Sequence, residues 1–365
     1  MNKSKLTSLV VLVVVMLAFA GCAPATAPTP APAAAPTAAP QAAAPTTAPA
    51  PAAAKPLKIG LVTDVGKIDD RGFLQASWEG VQQAQTDLGA EVKYIQTTDA
   101  KDFEKNIAQF AEGGYDVVVV SGFGPTDATA AAAKKYPNVK FVAIGQFHAD
   151  YPPNLVNINF PEDQAGFLGG ALAAQMTKSG ILGSVQATDA VPAVWRYGEG
   201  FCAGAKYIKP DIQVNVVYHS DVGFDKTFND PEWGKTTAAS MIDKGADIIF
   251  AGASDTGNGA LLGAAQKGAM AIGMDVDAYE VVPEAKAAML SSGMKEIKSG
   301  TFGLLKGIAD GNFKSGDVMG GVSLAPYHDY DSKVPAEVKA KMQEILAGLR
   351  DGSIKTNVPP TKPAK

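Results

Sequence analysis

The sequence predicts an α/β protein made of two doubly wound parallel-sheet lobes, and three observations carry that expectation. Short Val/Ile-rich runs alternate with longer amphipathic stretches along the body of the chain. The runs are apolar at nearly every position rather than at alternate ones, as in strands covered on both faces. Almost every run ends in a short polar or glycine-rich loop. A chain of 365 residues also has the length of two domains rather than one.

Taken in order, the strand-like runs occupy 58–63, 92–96, 116–122, 140–146, 181–186, 213–219, 247–251 and 271–274. Helical candidates lie between them at 73–88, 103–112, 125–136, 163–176, 231–244 and 257–267, where apolar residues recur at helical spacing. The first set of strands ends near Phe147 and the second begins near Ile181, which predicts two similar sheets of about four strands each. Open parallel sheets bind ligands beyond the carboxyl ends of their strands, so two facing lobes place a site in the cleft between them. The loops that would line it include Thr63-Asp64-Val65-Gly66, Asp69-Asp70, Ser121-Gly122-Phe123-Gly124, Gly145-Gln146, Ser254-Asp255-Thr256-Gly257 and Asp275-Val276-Asp277.

Ahead of this body, Lys3 and Lys5 precede an apolar run over 9–20 that ends in Ala20-Gly21-Cys22. The charged, apolar and small-residue order is that of a secretory signal, and the run is short for a membrane span. The cysteine resembles that of a bacterial lipobox, with Phe19 where Leu is usual. Residues 1–21 are therefore expected to be a leader, with Cys22 as the lipidated mature N-terminus; the alternative is an uncleaved anchor helix. Residues 23–54 are almost entirely Ala, Pro and Thr and carry no charge. Nine prolines remove donors and fix φ, so 22–56 reads as an extended tether with a reach on the order of 100 Å.

Composition narrows the function. The formal net charge is −5, and no block of Lys and Arg resembles a phosphate-tracking surface, so nucleic acid is not an expected partner. Only Cys22 and Cys202 are present, too few for a disulfide framework. The loop after the first run lacks GxGxxG, and no GxxxxGK[ST] or GxSxG occurs. His148, His219 and His328 lack paired ligand spacing, so neither a metal nor a cofactor is expected. A single Asp255-Thr256-Gly257 does not supply the two carboxylates an aspartic protease shares a proton between, and reads instead as a loop capping the next helix. Asp69-Asp70 could in principle form an acid and base. Without a nearby nucleophile or metal set, helix capping and ligand hydrogen bonding are the expected roles.

At these loops the sequence resembles the basic membrane protein family, the lipoprotein substrate-binding components of ABC importers. The resemblance is carried by "LVTDVGKIDDRGFLQASWEG", "NFPEDQAGFLGGALAA", "DPEWGKTTAASMIDKGADIIF" and "DTGNG" followed by "AIGMDVDAYEVVP", in that order between about 58 and 311. It implies a type I periplasmic-binding fold, with one lobe over 57–158 and 294–317 and the other over 159–293 and 318–365. It also implies a nucleoside-like solute, a permease driven by an ATPase, a monomer facing the outside of the cell on a lipid anchor, and binding rather than catalysis. Asp64, Asp70 and Phe73 would line the first lobe's side of the cleft. Phe228 would stack on a base, Asp275 would contact ribose hydroxyls and Lys295 would lie nearby. Gln146, Trp195 and Asp255 complete the expected ligand set.

The chain departs from the family pattern at three sites: Leu74 replaces an Asn, Gly145-Gln146 a strand-end Asp, and Ser254-Asp255 a Gly-Gly pair, while 221–226 reads as inserted. Other solutes, such as a flavin, a sugar or a modified nucleoside, therefore stay open. A surface metal-dependent hydrolase or nucleosidase using Asp69 and Asp70 is the alternative of another class.

Overall fold

The computed structural model describes residues 55–252 and 254–363, except the side chain of Asp225. Cys22, the leader and nearly all of the tether lie outside the described residues. Twelve strands are present among the described residues: β1 Lys58–Val65, β2 Glu91–Thr97, β3 Val117–Ser121, β4 Lys140–Ile144, β5 Leu155–Asn159 and β6 Ile181–Gln186. They continue as β7 Gln213–Tyr218, β8 Ile248–Ala251, β9 Met270–Asp275, β10 Met289–Lys295, β11 Gly316–Met319 and β12 Val322–Leu324.

These strands form two six-stranded sheets, ordered β11-β5-β4-β3-β1-β2 and β12-β10-β9-β8-β6-β7. Every neighbouring pair is parallel except β10–β12. The two-lobed parallel α/β class is thus the observed one. Central strands such as β3, with Val117–Ser121 wholly buried, carry the continuous apolar runs. Edge strand β2 interleaves Glu91 and Lys93 with apolar residues, as an edge open to water should.

Each sheet has six strands rather than the expected four or so. The additional ones do not read as strands because their composition serves contacts. In β5, Asn157 and Asn159 share a face and both donate to the Gln146 carbonyl, at 3.0 and 2.9 Å. In β10, Ser291-Ser292-Gly293 looks like a turn. Yet Ser291 donates to the Ala325 carbonyl at 2.7 Å and Ser292 accepts from the Ala278 amide at 3.1 Å. A Cβ on Gly293 would fall 2.4 Å from the Ala165 carbonyl oxygen, so only glycine lets the helix above approach.

That helix, Glu162–Met176, packs along Pro192–Ile208, which the sequence reading did not single out. Gly166 and Gly170 face Gly200 and Gly204 across the contact, and a Cβ on any of them would fall within 2.2 Å of a backbone oxygen opposite. The near approach brings Glu162 and Tyr197 to the same end of the pair, facing the cleft.

The chain passes between sheets three times: after β5, after β10, and between β11 and β12. Two of these crossings lie a few residues beyond the expected 293/294 and 317/318. Met294 and Lys295 stay in the second lobe because they pair with Asp275 and Val322. Val318 and Met319 belong to the first, opposite Ile158 and Asn159. The crossing segments also bond one another, through Gly320 N to Asn159 O at 2.7 Å and Glu296 N to Gly321 O at 2.9 Å.

Candidate ligand-binding site

The cleft between the lobes opens at the carboxyl ends of the strands and encloses about 870 Å³, counting its mouth. Its floor is a buried ion pair: Asp275, the last residue of β9, lies 2.8 Å from Lys295 Nζ at the end of β10. The register Met294↔Asp275 makes them neighbours. Asp275 takes a left-handed φ of 68°, a conformation rare outside glycine, at the end of the β9–β10 ladder, opposite Met294. Lys295 Nζ also sits 4.5 Å from the ring centre of Phe73, 5.5 Å from Tyr197 and 5.7 Å from Phe160. One carboxylate and three aromatic faces thus offset the desolvation of this cation.

Asp275 Oδ1, though close to the ammonium, is buried and out of hydrogen-bond alignment with any protein donor. It keeps acceptor capacity inside the cavity. Glu162 lies beside it, 2% exposed, its Oε2 3.8 Å from Arg196 Nε and likewise without a hydrogen-bond donor. Burial raises the Glu162 carboxyl above the usual carboxylate range, against the pull of Lys295 and Arg196. Tyr197 donates its hydroxyl to the Gly293 carbonyl at 3.2 Å, and burial together with the Asp275 and Glu162 charges keeps it protonated.

The first lobe's carboxylates face the same space but act differently. Asp64 accepts from the backbone of Val65 and Gly124, both at 2.7 Å, and so fastens the Gly122-Phe123-Gly124 loop. A Cβ on Gly122 or Gly124 would fall 2.4 or 2.5 Å from Asp64 atoms, which is why the loop is glycine-rich. Asp70 accepts from the amides of Gly72, Leu74 and Gln75 at 2.9 to 3.2 Å and so ties down the first turn of Phe73–Leu88. Burial outweighs these bonds and pushes its carboxyl up to about 6. Phe73, at the head of that helix, fits because Gly145 carries no side chain: a Cβ there would stand 2.9 Å from the ring.

Of the nine residues expected to hold a ligand, Asp64, Asp70, Phe73, Phe228, Asp275 and Lys295 line this one cavity, and Gln146, Trp195 and Asp255 do not. Gln146 is wholly buried in the first lobe, donating its side-chain amide to the Val120 carbonyl at 3.2 Å. Val194 and Tyr197, three residues apart, turn one face of their helix to the cavity; Trp195 falls off that face and is buried. Asp255 is in the first turn of Ser254–Lys267, a helix that begins three residues before its expected start, and pairs across the lip with Lys67 at 3.3 Å.

Glu162, Tyr197 and Phe224 also line the cavity without having been singled out as site residues, and Phe123 lines it from a loop expected to do so. Glu162 opens a helix after β5, a strand that does not itself read as one in the sequence, so it gave no clear signal. Phe224 sits in the 221–226 segment already marked as unusual.

Four polar contacts join the lobes at the lip. Ser254 donates to Asp70 at 3.0 Å, Asn258 to the Asp70 carbonyl at 3.1 Å, Lys67 pairs with Asp255, and Arg71 with Glu284 at 3.0 Å. The lobes are therefore closed on one another. Among the described residues no three His, Cys, Asp or Glu side chains gather as a metal-ligand set.

Comparison with known proteins agrees with this geometry. The solute-binding protein of an ABC transporter from Aeropyrum pernix superposes with a TM-score of 0.73 at 21% identity, over 82% of this chain and 93% of that one, which shows a shared fold. The ABC transporter nucleoside-binding protein BmpA of Lactococcus lactis subsp. cremoris is 29% identical across 82% of this chain and 88% of its own. A purine-binding protein of Brucella abortus is 27% identical over 85% of each. The family model described as ABC transporter substrate-binding protein PnrA-like matches residues 58–321, so this chain belongs to the Bmp family of ABC transporter substrate-binding proteins.

Proposed function

We propose that the protein captures a neutral nucleoside in the closed cleft, without chemical change to it, and delivers it to a membrane permease powered by an ATPase. The observation that carries this reading is the Asp275–Lys295 pair beside the ring of Phe73, with Phe228 lining the same cavity from the other lobe. A carboxylate with spare acceptor capacity suits vicinal hydroxyls, and flat apolar rings suit a heterocycle. Asp275 and Glu162 line the site against one buried lysine, which disfavours a phosphorylated ligand. The names of the Lactococcus and Brucella relatives support the same solute class.

In this reading Cys22 bears the lipid, 22–56 is the tether, and the body works as a monomer outside the cell membrane. A second reading, a sugar or flavin, is favoured by one observation: Leu74 presents an apolar wall where a base edge would seek a hydrogen bond. Native mass spectrometry of the purified protein, followed by calorimetry with adenosine, guanosine, inosine and their monophosphates, tests the proposal. Nucleosides should bind and monophosphates should bind at least tenfold more weakly. Retention of a hexose or a flavin, with no nucleoside binding, would overturn it.

A further inference from the structure

Phe224 is a large apolar side chain without a structural duty. It is 40% exposed and belongs to no hydrophobic cluster among the described residues, whereas Phe228, four residues on, packs against the second lobe's core. Yet Phe224 lines the ligand cavity, edge-on to Phe228 at 5.5 Å between ring centres.

Its backbone is held firmly. Thr227, itself buried, donates its hydroxyl to the Phe224 carbonyl at 2.9 Å. His219 braces the base of the segment: it is buried, stacks on Trp233 at 4.0 Å, and faces Asp221 and Asp230 at 3.4 and 3.2 Å. Lys226 reaches the same Asp230 at 3.2 Å. A phenylalanine held at the mouth of the cavity can cover an apolar part of a bound ligand.

The cavity's polarity indicates which part of a ligand arrives there. Asp275 and Lys295, 6% and 8% exposed, mark the deep end, and Phe224 marks the mouth. A nucleoside whose ribose meets Asp275 would direct its base outward between Phe73 and Phe228, with its outer edge against Leu74 and Phe224. We propose that Phe224 is a specificity-determining residue selecting purine nucleosides that carry an apolar substituent on the outer edge of the base. This inference rests on the nucleoside reading above.

The test is calorimetry with adenosine and N6-benzyladenosine on the wild type, Phe224→Ala and Phe224→Trp, each checked for an unchanged melting temperature. Ring-on-ring contact and burial predict that the wild type binds the benzyl compound at least tenfold more tightly. In Phe224→Ala the ratio of the two dissociation constants should fall to within threefold of one, and Phe224→Trp should preserve the preference. A purely structural role would weaken both ligands alike and leave the ratio intact, which overturns the proposal. Adenosine binding without any benzyl preference in the wild type would overturn it alone, leaving the nucleoside reading standing. Binding of neither compound would sink both.

Discussion

The two walls of the cleft use the same residue type in opposite ways. On the first lobe, Asp64 and Asp70 accept backbone amides and so shape the loop and helix that carry Phe123 and Phe73. On the second, Asp275 and Glu162 are buried beside cations, and each has an oxygen without an aligned hydrogen-bond donor, that of Asp275 being the one 2.8 Å from the Lys295 ammonium. A carboxylate whose oxygens accept backbone hydrogen bonds builds a wall; one that faces a lysine out of alignment can still take a ligand's hydroxyls. One wall is thus framework and the other is grip.

The largest effect that could break this contrast lies at the ion pair. Asp275→Asn or Lys295→Met alone leaves one buried charge unpartnered and should destabilise the protein by about 3 to 5 kcal/mol in denaturant unfolding. The double variant Asp275→Asn/Lys295→Met should regain most of that loss, since well-packed neutral groups replace such pairs at little cost. Ligand affinity should not return with it. A double variant that recovers both stability and nucleoside binding would show that the pair is framework too, and the contrast would be gone.

A smaller effect sharpens the first wall. Asp70 is raised to about 6 from an ordinary value of 3.8 because burial penalises its charge. Its stabilising contribution is therefore fully present below pH about 4 and is lost as pH rises through about 6. A rise from 3.8 to about 6 corresponds to roughly 3 kcal/mol as an upper bound. The unfolding free energy of wild type minus that of Asp70→Asn, which does not titrate, should fall by about 2 to 3 kcal/mol between pH 4 and pH 7. A difference that stays flat over that range would mean that Asp70 is solvated in solution and that its bonds to the helix are not as described.

The contrast between walls also explains what could be read from the sequence. The parallel strands were legible because Val117 to Val120 and similar runs advertise burial on both faces, and the cleft followed from where their loops must lie. Six of the nine expected site residues line one cavity: Asp64, Asp70 and Asp275 stand in loops legible from the chain, whereas Phe73, Phe228 and Lys295 were implied by the family resemblance alone. Direction was not visible. Gln146 follows a strand end as Asp275 closes one, but it turns back to the Val120 carbonyl, a choice made by Asn157 eleven residues on. Strand β10 was hidden because Ser291, Ser292 and Gly293 are small to suit neighbours 34, 14 and 128 residues away in sequence. Such long-range fits leave no local period to detect.

The smallest effect is at the lip, where framework and grip touch. Ser254 and Asp255 stand where the family pattern has glycines, and they bond Asp70 and Lys67 of the opposite lobe. Arg71 and Glu284 add a second charged contact. Lys67 is 64% exposed and Arg71 44%, so each ion pair is worth about 0 to 1 kcal/mol and is screened by salt. Together they bias the closed form over the open one by a few-fold. We expect Lys67→Ala/Arg71→Ala to speed ligand dissociation by about twofold to fivefold at low salt, with the melting temperature unchanged within a few degrees. Raising the salt to about 1 M should speed dissociation from the wild type by a similar factor and leave the double variant unaffected, because its screened contacts are already missing. Stopped-flow dissociation across a salt series reads both. Equal salt sensitivity in the two proteins would mean that the lip contacts do not hold the lobes shut, and that closure rests on the ligand's own contacts with the two walls.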